Sequence, residues 1–180
     1  MSNAALLAFV FAFLFLTDAA LLLTRPQAIR QWLLAFPRQK IPAALFTGIA
    51  LIWFARNLWS VDFGGFSVLK YLLFPLVPLL WFGILTCLPD LLAVRSLCAV
   101  LLLAGNPLII WTRWQPTPAS PLVGVLIYLM ILKCMLLIVY PHFWKRATHW
   151  LFADDRRRTA AAYAEGTLGI AVLAVAWISR

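Results

Sequence analysis

Pro121-Leu-Val-Gly-Val-Leu-Ile-Tyr-Leu-Met-Ile-Leu-Lys-Cys-Met-Leu-Leu-Ile-Val-Tyr140 is twenty residues long and holds one charged side chain, Lys133. A helix crossing a bilayer's hydrocarbon core needs about 17 to 25 mostly apolar residues, because a backbone amide left unpaired in lipid costs several kcal/mol. This stretch meets that requirement. Five others meet it too: Ala4–Thr24, Ile41–Trp59, Phe66–Leu88, Leu91–Trp111 and Thr159–Ile178. The six together take up about 124 of the 180 residues and leave no room for a soluble domain. The expected fold is all-α, a single polytopic membrane bundle of six transmembrane helices over residues 1–180.

Composition agrees. Hydrophobic residues make up 64% of the chain and mean hydropathy is +0.94, outside the range of water-soluble domains. A formal net charge of +9 would suggest nucleic acid in a soluble protein. Here the basic residues flank membrane spans, so anionic lipid headgroups are the expected partner and nucleic acid is not. The first span has no basic residue ahead of it and is interrupted by Asp18, which suits a retained helix better than a secretory signal. Cys87, Cys98 and Cys134 all lie in spans, without CxxC spacing, and read as reduced thiols packing like small hydrophobes.

Charge distribution orients the bundle. If all six stretches cross, the segments joining spans 1–2, 3–4 and 5–6 share one side. Ten of the fifteen basic residues cluster there: Arg25, Arg30, Arg38, Lys40, Arg95, Lys145, Arg146, Arg156, Arg157 and Arg158. The positive-inside bias then puts both termini outside and the basic segments in the cytoplasm. Trp32, Trp59, Trp111, Trp114, Trp144, Trp150 and Trp177 lie near the span boundaries, as an aromatic belt requires.

The two long basic segments have the pattern of amphipathic helices lying on the cytoplasmic face. In the first, Pro26 suits an opening helical turn, and Ile29, Trp32, Leu33 and Phe36 recur at i, i+3, i+4 and i+7. In the second, Phe143, Ala147, Trp150 and Leu151 make a similar stripe after Pro141. Arg or Lys opposes each stripe, so Arg30, Trp32, Arg38, Lys40, Lys145, Arg146, Arg156, Arg157 and Arg158 are expected to contact lipid headgroups. Ser60–Gly65 reads as a short loop turning at Gly64-Gly65, and Gln115–Pro121 as a Pro-rich connector.

The two ends of the chain resemble each other. Shifted by 118 positions, Trp32–Gly48 matches Trp150–Gly166 at seven of seventeen positions. Repeat-like hairpins over 4–59 and 121–178 would then flank 66–111, in parallel orientation about an axis along the membrane normal. Ala44 and Gly48 correspond to Ala162 and Gly166. Each pair is a small-xxx-small motif that lets two helix backbones approach closely. The repeated unit is an apolar span ending before Pro, a Trp/Arg-rich amphipathic stretch and an Arg-led second span. It resembles a family of small uncharacterised two-helix bacterial inner-membrane proteins, best over Leu136–Trp177. The resemblance implies a bacterial inner membrane and no activity.

Ionisable groups deep in a span are the strongest functional signal, since each costs about 2.5 to 3.5 kcal/mol on insertion scales. Asp18, Lys133 and Glu165 are the candidates. Asp18 and Lys133 each sit eight residues before the Pro that ends their span, at matching depth, where an ion pair would offset the desolvation of both. Glu165, one turn inside the last span, is expected to snorkel toward Arg156–Arg158. Arg56, Lys70 and Arg95 lie near span ends and can reach headgroups. Pro75 and Pro78 are expected to kink the third span, and Ala104-Gly-Asn-Pro107 has the composition of a break.

His142 and His149, the chain's two histidines, lie two turns apart on the second amphipathic segment, too far apart to share a metal. No phosphate loop, nucleophile elbow, HExxH motif or paired-carboxylate cluster occurs. No cofactor is expected. The leading functional expectation is a non-catalytic accessory or scaffold subunit of a larger membrane complex, partnered by other membrane subunits. The alternative is a small solute or proton transporter using Asp18, Lys133 and Glu165.

Overall fold

The structure, a computed structural model, describes residues 2–61, 70–87 and 91–179. Among them every regular element is helical: α1 (Asn3–Thr24), α2 (Pro26–Ala35), α3 (Lys40–Ser60), α4 (Leu73–Cys87), α5 (Leu92–Arg113), α6 (Ala119–Val139), α7 (His142–Leu151) and α8 (Asp155–Ile178). Six are long and apolar enough to cross a membrane, α4 counting with its 3-10 lead-in from Lys70. The bounds of five of them lie within a few residues of the hydropathy boundaries; Phe66 and Leu88, the expected ends of the third span, lie outside the described residues. The Ser60–Gly65 loop, with its Gly64-Gly65 turn, lies mostly outside the described residues.

Three local expectations change. α8 starts four residues before the apolar stretch, because the Asp154 carboxylate accepts a 3.0 Å bond from the Arg156 amide and caps the helix. Of the two prolines expected to kink the third span, Pro75 falls in the first turn of α4, where no intrahelical donor is lost; Pro78 alone stands in its interior. α5 runs unbroken through Ala104–Pro107, in a setting where a chain break would leave several amides unpaired.

α1 and α8 pack antiparallel along most of their lengths, and this is the largest helix pairing in the molecule. α5 packs on both α3 and α6, while α4 packs on α3. Between equally apolar helices in lipid, association depends on close packing and not on expulsion of water. Small side chains supply it: Ala4, Ala8 and Ala12 of α1 are each 0% exposed, against Val172 and Ala176 of α8 and Val123 and Ile127 of α6. A second cluster joins Ala43 of α3 to Val94 and Cys98 of α5 and to Cys134 and Leu137 of α6. Cys98 and Cys134 are buried as small apolar groups, whereas Cys87 is exposed, because α4 buries none of its residues.

Two buried hydroxyls in this setting are satisfied within their own helices. Thr47 and Ser96 donate to carbonyls one turn earlier, at 2.7 and 2.8 Å. At one end of the bundle the two chain termini meet the α5–α6 connector. The Ala4 amide donates to Gln115 Oε1 (2.9 Å) and the Ala119 amide to Ser179 Oγ (3.0 Å), so the first turns of α1 and α6 are capped by distant residues. At the other end α2 and α7 lie against each other. Trp144 Nε1 donates to the Leu33 carbonyl at 2.8 Å, and its ring stands 5.9 Å from that of Phe36.

The arms α1–α2–α3 and α6–α7–α8 share a plan, a long helix, a ten-residue helix and a second long helix. Their packing is not equivalent. α1 sits directly on α8, whereas α5 stands between α3 and α6.

Candidate functional site

Asp18, Lys133 and Glu165 converge from α1, α6 and α8. Asp18 lies six residues before the end of α1, and Lys133 six before the end of α6, so each stands about 9 Å inside its helix. Glu165 lies ten residues into α8, about 15 Å from its start. The Lys133 ammonium acts electrostatically on both carboxylates, and Asp18 acts on Glu165. Among the described residues no ion pair within 4.0 Å joins any two of the three. The ion pair formed nearby is Arg158 to Asp155, 3.0 Å, within the first turn of α8.

Two carboxylates and one ammonium therefore act on one another without direct contact, on three span-forming helices. Asp18 and Lys133 are exposed, while Glu165 is half-buried and its Oε2 is enclosed with no hydrogen-bond partner. Such a group can hold a proton or accept a cation from elsewhere. Glu165 does not turn to Arg156–Arg158 as expected. Because α8 begins at Asp155, those arginines belong to its first turn and lie two turns or more from Glu165. The charges acting on Glu165 are Asp18 and Lys133.

The packing residues divide between two interfaces. Gly166 lies on the α1–α8 seam, where an added Cβ would stand 3.7 Å from that of Ala19, and Ala162 is buried on the same helix. Ala44 and Gly48 instead receive an indole: Trp81 Nε1 donates to the Ala44 carbonyl at 3.0 Å and lies 3.5 Å from where a Gly48 Cβ would sit. Three contributors were not singled out from the sequence. The Ala4/Ala8/Ala12 stripe carries the same i, i+4 spacing and was legible. Gly169 and Trp81 act through partners that spacing does not reveal.

Arg30, Trp32, Arg38, Lys40, Arg146, Arg156 and Arg157 are exposed at the α2–α7 end, and Lys145 and Arg158 are partly covered there. Arg157 stacks over Trp150 at 5.2 Å. His142 and His149 are both exposed on α7. Among the described residues no three His, Cys, Asp or Glu side chains converge as a metal site would require.

No family model, curated protein or solved structure matches this chain.

Proposed function

We propose that this chain is a non-catalytic accessory or scaffold subunit of a larger membrane complex, in a bacterial inner membrane with both termini outside the cytoplasm. One observation carries the reading: α4 packs chiefly on α3 and buries none of its residues, leaving Phe74, Leu79 and Phe82 each about 70% exposed. Helix association in lipid depends on tight packing, and a span that gains so little from its own bundle offers a face to a neighbouring subunit. On this reading α2 and α7 lie on the cytoplasmic face. Trp32, Phe143 and Trp150 are uncovered by protein and would enter the headgroup boundary beside their arginines. The two like-built arms fit a parallel repeat in which α5 has taken one of the two equivalent contacts. The weak likeness to small two-helix inner-membrane proteins belongs with it.

Purification in a mild detergent should yield a second chain in fixed stoichiometry, and a photo-crosslinker at Phe82 should capture that chain. The same probe at Ile127, which is 0% exposed, should not. Recovery as a lone monomer would overturn the proposal.

The convergence of Asp18, Lys133 and Glu165 favours a second reading, a small solute or proton transporter. Reconstituted vesicles should then show a proton or solute flux that Asp18→Asn abolishes. Absence of flux in the unaltered protein would dispose of this reading and leave the first intact.

A further inference from the structure

Two adjoining hollows lie where α3, α4 and α5 meet, at the basic end of the bundle. The outer one, of about 720 Å³, is lined by Arg38, Gln39 and Lys40 at the start of α3, by Leu85 and Thr86 of α4, and by Leu91 and Leu92 at the start of α5. The inner one, of about 470 Å³, continues between the same helices and shares Leu92. Its walls are apolar (Leu51, Phe54, Ile84, Ala99 and Leu102 among them) except for Thr47, Arg95 and Ser96. The hydroxyls of Thr47 and Ser96 already donate to carbonyls of their own helices. Arg95 differs: its Nε is enclosed and has no hydrogen-bond partner.

Charge separates the two hollows as it does in an amphiphile. Two cations line the outer hollow and a third lines the inner one, and no carboxylate lines either hollow among the described residues. The first turns of α3 and α5 open into the same mouth, neither with a side-chain cap, so their amides add to the positive potential. The outer volume falls in the range of ligand sites, and the inner groove is too apolar to be matched by a free anion.

We infer that this corner holds one anionic phospholipid from the surrounding leaflet. Its phosphate lies between Arg38 and Lys40, Arg95 Nε serves an oxygen near the glyceryl ester, and an acyl chain runs down the α3–α5 groove. Unlike the diffuse headgroup contact of a basic surface, this is a fixed site with a head pocket and a tail channel. It rests on the proposed topology only in placing the basic end at a headgroup layer, and it stands whether or not a partner subunit exists.

The test is a titration of the protein in nanodiscs of neutral lipid with phosphatidylglycerol, read by native mass spectrometry of the bound adducts. The unaltered protein should keep one phosphatidylglycerol after detergent exchange. Arg38→Gln with Lys40→Gln should weaken binding about thirtyfold, at about 1 kcal/mol for each cation near a membrane surface. Arg156→Gln with Arg157→Gln removes the same charge elsewhere on that end and should leave binding unchanged. Ala99→Phe, which fills the groove, should reduce retention of long-chain phosphatidylglycerol while leaving the dihexanoyl form bound, and binding of the short-chain lipid also certifies that the variant is folded. Equal losses in the two double variants, no retained lipid in the unaltered protein, or inorganic phosphate displacing the lipid at millimolar concentration would each overturn the assignment.

Discussion

Gly169→Leu is expected to separate the first and last helices and to abolish recovery of folded protein. A Cβ at position 169 would stand 2.9 Å from Leu16 Cγ, 3.1 Å from its Cδ2 and 3.2 Å from Phe15 Cβ. Two of these atoms sit close to the backbone of α1 and cannot swing aside, so the whole helix must move. Even Gly169→Ala should cost about 1 to 3 kcal/mol, the usual range for an overpacked core, and leucine should exceed that range. Gly83→Ala is the control, because nothing lies within 4 Å of its added Cβ. It should be neutral, or stabilising by up to about 1 kcal/mol through helix propensity alone. Gly105→Ala falls between: its Cβ would meet Ile131 Cδ1 at 2.9 Å, near the flexible end of that side chain. Thermal unfolding in detergent reads all three, and a Gly169→Ala variant as stable as Gly83→Ala would contradict the α1–α8 seam.

Lys133→Met should be the most damaging single change among the charged residues. It removes the cation that acts on both Asp18 and Glu165 and leaves the repulsion between the two carboxylates uncompensated. Each charged group at span depth costs about 2.5 to 3.5 kcal/mol on insertion scales, and the lysine offsets part of that for both acids. Folded yield and melting temperature should fall together. Adding Asp18→Asn and Glu165→Gln should restore them, since the triple variant has no charge left to compensate. Exchanging Asp18 for Lys while Lys133 becomes Asp should also recover what either reversal alone loses. If Lys133→Met melts with the unaltered protein, or if the two neutral amides bring no recovery, the three residues do not act as a unit.

These expectations mark how far the sequence could be read. All six spans were legible, because transfer into lipid is set by each side chain in turn and adds up along the chain. The two short helices followed from a 3.6-residue period between prolines. Asp18, Lys133 and Glu165 stood out because a charge in an apolar run is conspicuous wherever the run packs. Even matching depth for Asp18 and Lys133 followed from counting residues at about 1.5 Å each.

Neighbours were another matter. Only the tertiary structure pairs α1 with α8, inserts α5 between α3 and α6, and brings Glu165 under the charges of Asp18 and Lys133 instead of those of the arginines nearest in sequence. It alone seats the Trp81 indole against Ala44 and Gly48, and brings Arg38 and Lys40 to one hollow and Arg95 to the hollow adjoining it. The reason lies in the solvent. Lipid tails are as apolar as leucine, so one apolar helix face has no compositional preference for another, and the choice falls to shape: where an alanine or glycine admits a backbone, and where a bulky side chain forbids it. Hydropathy sets which residues enter the membrane; the fit of surfaces separated by up to the whole length of the chain decides what they meet there.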